Sequence, residues 1–116
     1  MVERKDHLTE ILKAASDPTR RDILTLLAQN GPTRVTEIAA RHDMSLNAVS
    51  KHIKVLEGAG LVRRKTIWRE HLIELCLEPL TEVDQWFAGL RSIWDLRLAK
   101  LDDLLTKDQS DDRANS

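Results

Sequence analysis

The sequence predicts a mainly α domain with one small β-hairpin, an α+β chain of about five helices and a two- to three-stranded sheet. Three observations point there. Apolar residues recur at steps of three and four along most of the chain, the period of an α-helix buried on one side. Residues 61–77 break that pattern with two apolar and β-branched runs around a turn. Phe and Trp total four residues in 116, with no Tyr, so the core must come from Leu, Ile, Val and Ala, which suits packed helices. The length fits one domain with short appendages.

Residues 1–6 read as a flexible N-terminus. His7 to Ala15 carries Leu8, Ile11, Leu12 and Ala15 on one stripe, a short amphipathic helix. Asp17 is a good cap for a second helix, and Pro18 fits its first position, where the missing N–H costs nothing. That helix holds Ile23, Leu24, Leu26 and Leu27 and ends before Asn30-Gly31-Pro32. Arg20 and Arg21 lie in its first turn, against the helix dipole. Two readings stay open for them, an ion pair with Asp17 or Asp22 and a phosphate contact.

Val35 to His42 forms a third, short helix with Ile38 and Ala39 inside and Thr36 as its cap. Asp43-Met44-Ser45 separates it from a fourth, with Met44 plugging the angle between the two. In the fourth helix Leu46, Val49, Ile53 and Leu56 make an apolar face. The opposite face carries Asn47, Ala48, Ser50, Lys51, His52 and Lys54, with no acid until Glu57. Ser45 caps its start, and Gly58 or Gly60 lets it end. Small residues allow close approach to a surface, Asn pairs with base edges, and Ser, Lys and His reach phosphates or bases. On an isolated helix this would pass for an ordinary solvated face. A short helix, a tight turn and a longer helix of this kind form the helix-turn-helix pattern, whose second helix sits in the DNA major groove.

The next segment extends that pattern. Leu61 to Ile67 reads as a strand with Arg63, Arg64 and Lys65 in a row, and His71 to Leu77 as its partner. Trp68-Arg69-Glu70 makes the turn, with Arg69 at the tip; Trp68 is expected to pack back beneath the hairpin, the lesser reading being an exposed indole stacked on a sugar or base. A basic hairpin behind a recognition helix is the wing of a winged helix-turn-helix domain, which runs along the backbone or into the minor groove. From Thr81 to about Leu105 the chain reads as one long helix striped by Val83, Phe87, Leu90, Trp94, Leu98 and Leu101. That stripe exceeds what so small a domain can cover, so the helix is expected to pair with its own copy, the alternative being that it folds back entirely on the N-terminal helices. Residues 7–105 are then the domain, with 7–15 and 81–105 as dimerisation helices, and residues 106–116 a polar, disordered tail.

Charge distribution agrees. The net charge is −1, yet residues 34–71 hold eight basic side chains (Arg34, Arg41, Lys51, Lys54, Arg63, Arg64, Lys65, Arg69) against four acidic ones. The remainder from residue 72 is acidic, so one positive face coexists with a near-neutral whole.

The run Asp17-Pro18-Thr19-Arg20, then Thr36-Glu37-Ile38-Ala39, Met44-Ser45, Ala48-Val49-Ser50-Lys51-His52-Ile53-Lys54-Val55-Leu56 and Ala59-Gly60-Leu61-Val62 resembles the ArsR family of bacterial winged-helix transcriptional regulators. The likeness spans residues 7 to about 105. It implies a homodimer built from the first and last helices, bound to double-stranded DNA at a roughly palindromic operator, and repression that an effector relieves. It implies that Ser45, Asn47, Ala48, Ser50, Lys51 and His52 face the major groove, with Arg63, Arg64, Lys65 and Arg69 in the wing; Lys54, on the same polar face of the helix, is expected among the DNA contacts. Leu8, Leu12, Val83, Phe87, Leu90, Trp94, Leu98 and Leu101 would form the dimer contact. Members often place Gly at the wing tip; here there is none.

Metal-sensing members carry Cys-x-Cys before the turn, where this chain has Arg34-Val35-Thr36. Others use Asp, His and Glu on the last helix, which here has no His. One Cys and four scattered His do not make a four-ligand set, so no metal or other cofactor is expected. Cys76 reads as a small packed residue. No apolar run of about twenty residues exists, so no membrane span is expected. The chain lacks a signal-peptide core, and the expected compartment is the cytoplasm. No nucleophile–base set or Gly-rich phosphate loop points to an enzyme. The alternative to a regulator is a winged-helix protein-interaction module without DNA binding.

Overall fold

The computed structural model describes residues 6–114, with side chains to residue 107. The described residues run α1 (His7–Ala15), α2 (Pro18–Asn30), β1 (Thr33–Arg34), α3 (Val35–Arg41), α4 (Leu46–Gly58), β2 (Val62–Ile67), β3 (Glu70–Leu75) and α5 (Leu80–Ala114). The sheet is antiparallel in the order β1-β3-β2. This is the winged helix-turn-helix order, with Thr33 and Arg34 adding the third strand beside Ile73 and Leu72.

Local chemistry sets most helix starts. The Asp17 carboxylate accepts the Arg20 N–H at 3.0 Å, and Ser45 Oγ accepts the Ala48 N–H at 3.2 Å. Asp6, assigned from sequence to the flexible N-terminus, caps α1 instead and takes the Thr9 hydroxyl at 2.8 Å. Residues 1–5 lie outside the described residues. Thr36 does not cap α3. Arg34 occupies that position without a side-chain cap bond, because β1 runs straight into the helix and its ladder already fixes the entering backbone.

The end of α4 is closed in a Schellman arrangement. The Leu61 N–H reaches the Leu56 carbonyl at 3.0 Å and the Gly60 N–H reaches that of Glu57 at 2.9 Å. Gly60 has φ +77°, the left-handed conformation that favours glycine. Leu56 and Leu61 on either side of this turn are both fully buried.

The core joins Ile11 and Ala14 of α1, Ile23, Leu26 and Leu27 of α2, Ile38 and Ala39 of α3, and Val49, Ile53 and Leu56 of α4. Ala59, Leu61, Val62 and Ile73 complete it from the sheet side. Met44 packs partly buried against this cluster, as the turn requires, and Asp43 takes φ +51° beside it. Two expectations shift by a turn. Leu46 is 52% exposed, because it opens α4 before the helix reaches the core. In α1 the buried pair is Ile11 and Ala14 rather than the full stripe; Leu12 is exposed and Leu8 half-buried.

The chain divides into two compact units between Val83 and Asp84. Leu80 and Val83, at the start of α5, pack on the core of the first unit. The helix continues to Ala114, beyond the end expected at Leu105, with residues 115–116 outside the described residues. No Gly or Pro follows Gly89 to stop it. No helix among the described residues is long and apolar enough to cross a membrane.

Two substitutions in one helix separate burial from position. Ile53→Ala, at a site with no exposure, is expected to lower unfolding free energy by about 2–5 kcal/mol in urea titrations. Leu46→Ala should change it by no more than about 0.5 kcal/mol.

Candidate nucleic-acid interface

Burying Val49, Ile53 and Leu56 turns the opposite side of α4 outward. Ser45, Asn47, Lys51 and Lys54 are exposed there, and Ala48 and Ser50 are half-buried. Neither lysine makes an ion pair among the described residues. His52 behaves differently. Its side chain keeps 22% of its exposure and lies 3.9 Å from the Asp17 carboxylate. Its Nδ1 is 3.4 Å from the Arg20 guanidinium. The ring therefore faces the first turn of α2 rather than open solvent. The backbone N–H of Arg20, more than the nearby charges of Arg20 and His52, holds the Asp17 carboxyl below its usual range.

Arg20 and Arg21 also take a role that neither open reading foresaw. Arg20 Nε donates to the Ala14 carbonyl at 2.7 Å and its other arm to that of Lys13 at 3.2 Å. Arg21 donates to the Ala15 carbonyl at 2.7 Å. Both cap the C-terminal end of α1, where orphan carbonyls and the negative end of the dipole favour a cation. The dipole conflict in their own helix is offset by the helix before it.

In the hairpin, Arg63 and Glu74 are direct cross-strand partners joined at 2.8 Å. Lys65, on the same face, reaches the other Glu74 oxygen at 3.5 Å. Arg64 points to the opposite face and meets Glu57 of α4 at 3.1 Å. Arg34 and Glu70 pair at 3.5 Å. Sequence reading missed these acids. Hydrogen bonding from Arg63, then the charges of Arg63 and Lys65, holds the Glu74 carboxyl below its usual value. Arg69, by contrast, has no ion pair among the described residues.

The turn is tighter than expected. Ile67 pairs with Glu70, so only Trp68 and Arg69 lie between the strands. Trp68 takes φ +61° and is 95% exposed, so it does not pack beneath the hairpin. Every residue from Arg63 to His71 is exposed; the ribbon has no second layer at its tip for an indole to rest on.

In the second unit, the apolar row of α5 is exposed. Trp86, Phe87, Leu90, Ile93, Trp94 and Leu98 are between 44% and 67% exposed. The Trp86 and Phe87 rings meet edge-on at 4.9 Å, and the Arg97 guanidinium sits 5.9 Å from the Trp94 ring centre. A continuous apolar surface of this kind marks an interaction face. Among the described residues no three His, Cys, Asp or Glu side chains gather as metal ligands. Cys76 is half-buried, and its N–H donates to the Leu61 carbonyl at 2.8 Å.

Known proteins resemble this chain both in sequence and in fold. A helix-turn-helix domain family matches residues 15–65. A crystal structure of an ArsR family transcriptional regulator superposes with TM-score 0.71 at 36% identity, covering 82% of this chain and 97% of that one. A homodimeric winged helix-turn-helix DNA-binding domain from Mycobacterium bovis, a possible ArsR-family regulator, gives TM-score 0.57 at 26% identity over 84% and 94%. The transcriptional repressor SdpR of Bacillus subtilis is 36% identical over 55 residues, 47% of this chain and 60% of that protein.

Removing the acid that two wing cations share should expose their charge. Glu74→Gln is expected to elute later than wild type from a heparin column in a salt gradient. The same change should flatten the acid limb of the stability curve. A carboxyl lowered by folding stabilises fully above its unfolded value near 4.5 and loses that contribution as the pH falls through the folded value.

Proposed function

The chain belongs to the ArsR family of winged helix-turn-helix transcriptional regulators, and from that membership we propose a homodimeric repressor that reads a roughly palindromic operator with α4 and steadies itself with the hairpin. One observation carries this reading. Lys51 and Lys54 on α4 and Arg69 at the hairpin tip carry no neutralising acid among the described residues, whereas Arg34, Arg63, Arg64 and Lys65 all do.

In this reading Ser45, Asn47, Ala48, Ser50, Lys51 and Lys54 face the major groove. The small residues near the start of α4 allow close approach, Asn47 pairs with a base edge, and the lysines meet bases or phosphates. His52 holds the α2–α4 contact at the margin of that face. Arg69 follows the minor groove or backbone. Arg63, Arg64 and Lys65 contribute less than a count of charges suggests, since glutamates already neutralise them.

The exposed row of α5 supports the dimer. Val83, Phe87, Leu90, Trp94, Leu98 and Leu101 are the proposed contact with a second copy, with Leu8 and Leu12 of α1 adding to it. The homodimeric relative from Mycobacterium bovis and the repressor from Bacillus subtilis support assembly and repression, respectively. Two copies address two half-sites, which is why the operator should be nearly palindromic.

Selection of binding sites from random duplexes tests the whole reading. A recurring, two-fold-related site is expected. Lys51→Ala should relax base preference within it, while Arg69→Ala should weaken all sequences alike and reduce the slope of log affinity against log salt by about 1. Wild-type affinity in both variants would refute the reading. Separately, Leu90→Asp with Trp94→Asp should give a monomer in sedimentation velocity and abolish tight operator binding.

A further inference from the structure

Among the described residues, Trp68 is the most exposed of the large apolar side chains. It is 95% exposed at the hairpin tip. Its φ of +61° is a conformation that side chains with a Cβ resist and glycine adopts freely. In a two-residue hairpin turn, glycine at this first position would relieve the backbone and remove an apolar surface from water. The indole therefore works against the isolated domain on both counts.

Its surroundings are arranged for a polyanion. Arg69 follows it with no acid partner among the described residues, and the acid next in line, Glu70, is drawn toward Arg34 at 3.5 Å. Ile67, 42% exposed, adds an apolar shoulder on the other side. An aromatic face beside an unpaired guanidinium, with nearby carboxylates engaged elsewhere, is the chemistry that packs on a nucleotide while the cation holds its phosphate.

We propose that Trp68 is itself a DNA contact, its indole lying in the minor groove against deoxyribose and base edge where Arg69 meets the backbone. This rests on the regulator reading above. The indole N–H finds an acceptor at every base pair of the minor groove, and the guanine amino group obstructs it, so A·T pairs are favoured under the tip. Trp68 thereby contributes affinity and a flanking preference that α4 does not read.

The test uses the full chain and the duplex recovered with wild-type protein from random-sequence selection. Trp68→Gly is expected to raise the melting temperature and yet weaken duplex binding about tenfold, within the usual worth of one aromatic–nucleotide contact. Opposite signs in stability and affinity are what a merely structural tryptophan would not give. Trp68→Ser keeps a Cβ at the strained position, and should lose the same affinity with little change in melting. Trp68→Phe should stay within about threefold of wild type. Quenching of tryptophan emission on adding duplex should vanish in Trp68→Ser. Replacing flanking A·T pairs by G·C should weaken wild type more than Trp68→Ser. Wild-type affinity in both Trp68→Gly and Trp68→Ser overturns the inference while the regulator reading stands. Failure of wild-type protein to select any duplex overturns both.

Discussion

The burial of one side of α4 is the constraint on which the rest depends. Val49 and Ile53 have no exposure at all, and Leu56 closes onto Leu61 through the left-handed turn at Gly60. With those three side chains fixed, rotation of the helix about its axis is excluded, because a core packed at crystal density has no second arrangement of similar energy. The opposite residues then point outward whatever their own chemistry. A polar face held this rigidly loses little freedom on meeting a ligand, which favours binding by pre-organisation.

Electrostatics refine that geometry. The middle of the chain is rich in cations, but the fold neutralises most of the hairpin's charge internally, through Glu74, Glu57 and the Arg34–Glu70 pair. Exposed pairs of this kind contribute little to stability and are screened by salt. Their larger effect is on where the field remains unbalanced, namely on α4 and at the hairpin tip. Arg20 and Arg21 are likewise engaged within the fold, since both are committed to the carbonyls that end α1.

Much of this was legible in the sequence, because period, caps and breakers are local signals. Asp17, Pro18 and Ser45 start their helices and Gly60 ends one, so the start of α2 and both bounds of α4 follow from them. What was not legible depends on residues distant in the chain. The Thr36 cap failed because β1, defined only by pairing with β3, sets the entry to α3. The acids opposite the wing cations depend on register: a turn of Trp68-Arg69-Glu70 places Glu74 across from Arg64, whereas the observed turn places it across from Arg63. Trp68 was misplaced for a related reason. An apolar side chain is expected inside, and only the exposed outer half of the ribbon shows that no inside exists there. His52 shared the polar face of its own helix, and nothing local foretold its contact with Asp17 and Arg20.

The length of α5 has a consequence for how much of this protein a cell keeps. Each isolated copy presents tryptophans and leucines to water along several turns, the kind of surface that chaperones and proteases recognise. In the dimer proposed above, paired copies would hide that surface, and unpaired ones would stay open to clearance. Abundance would then respond to concentration more steeply than synthesis alone dictates, since survival itself rises with the number of copies present.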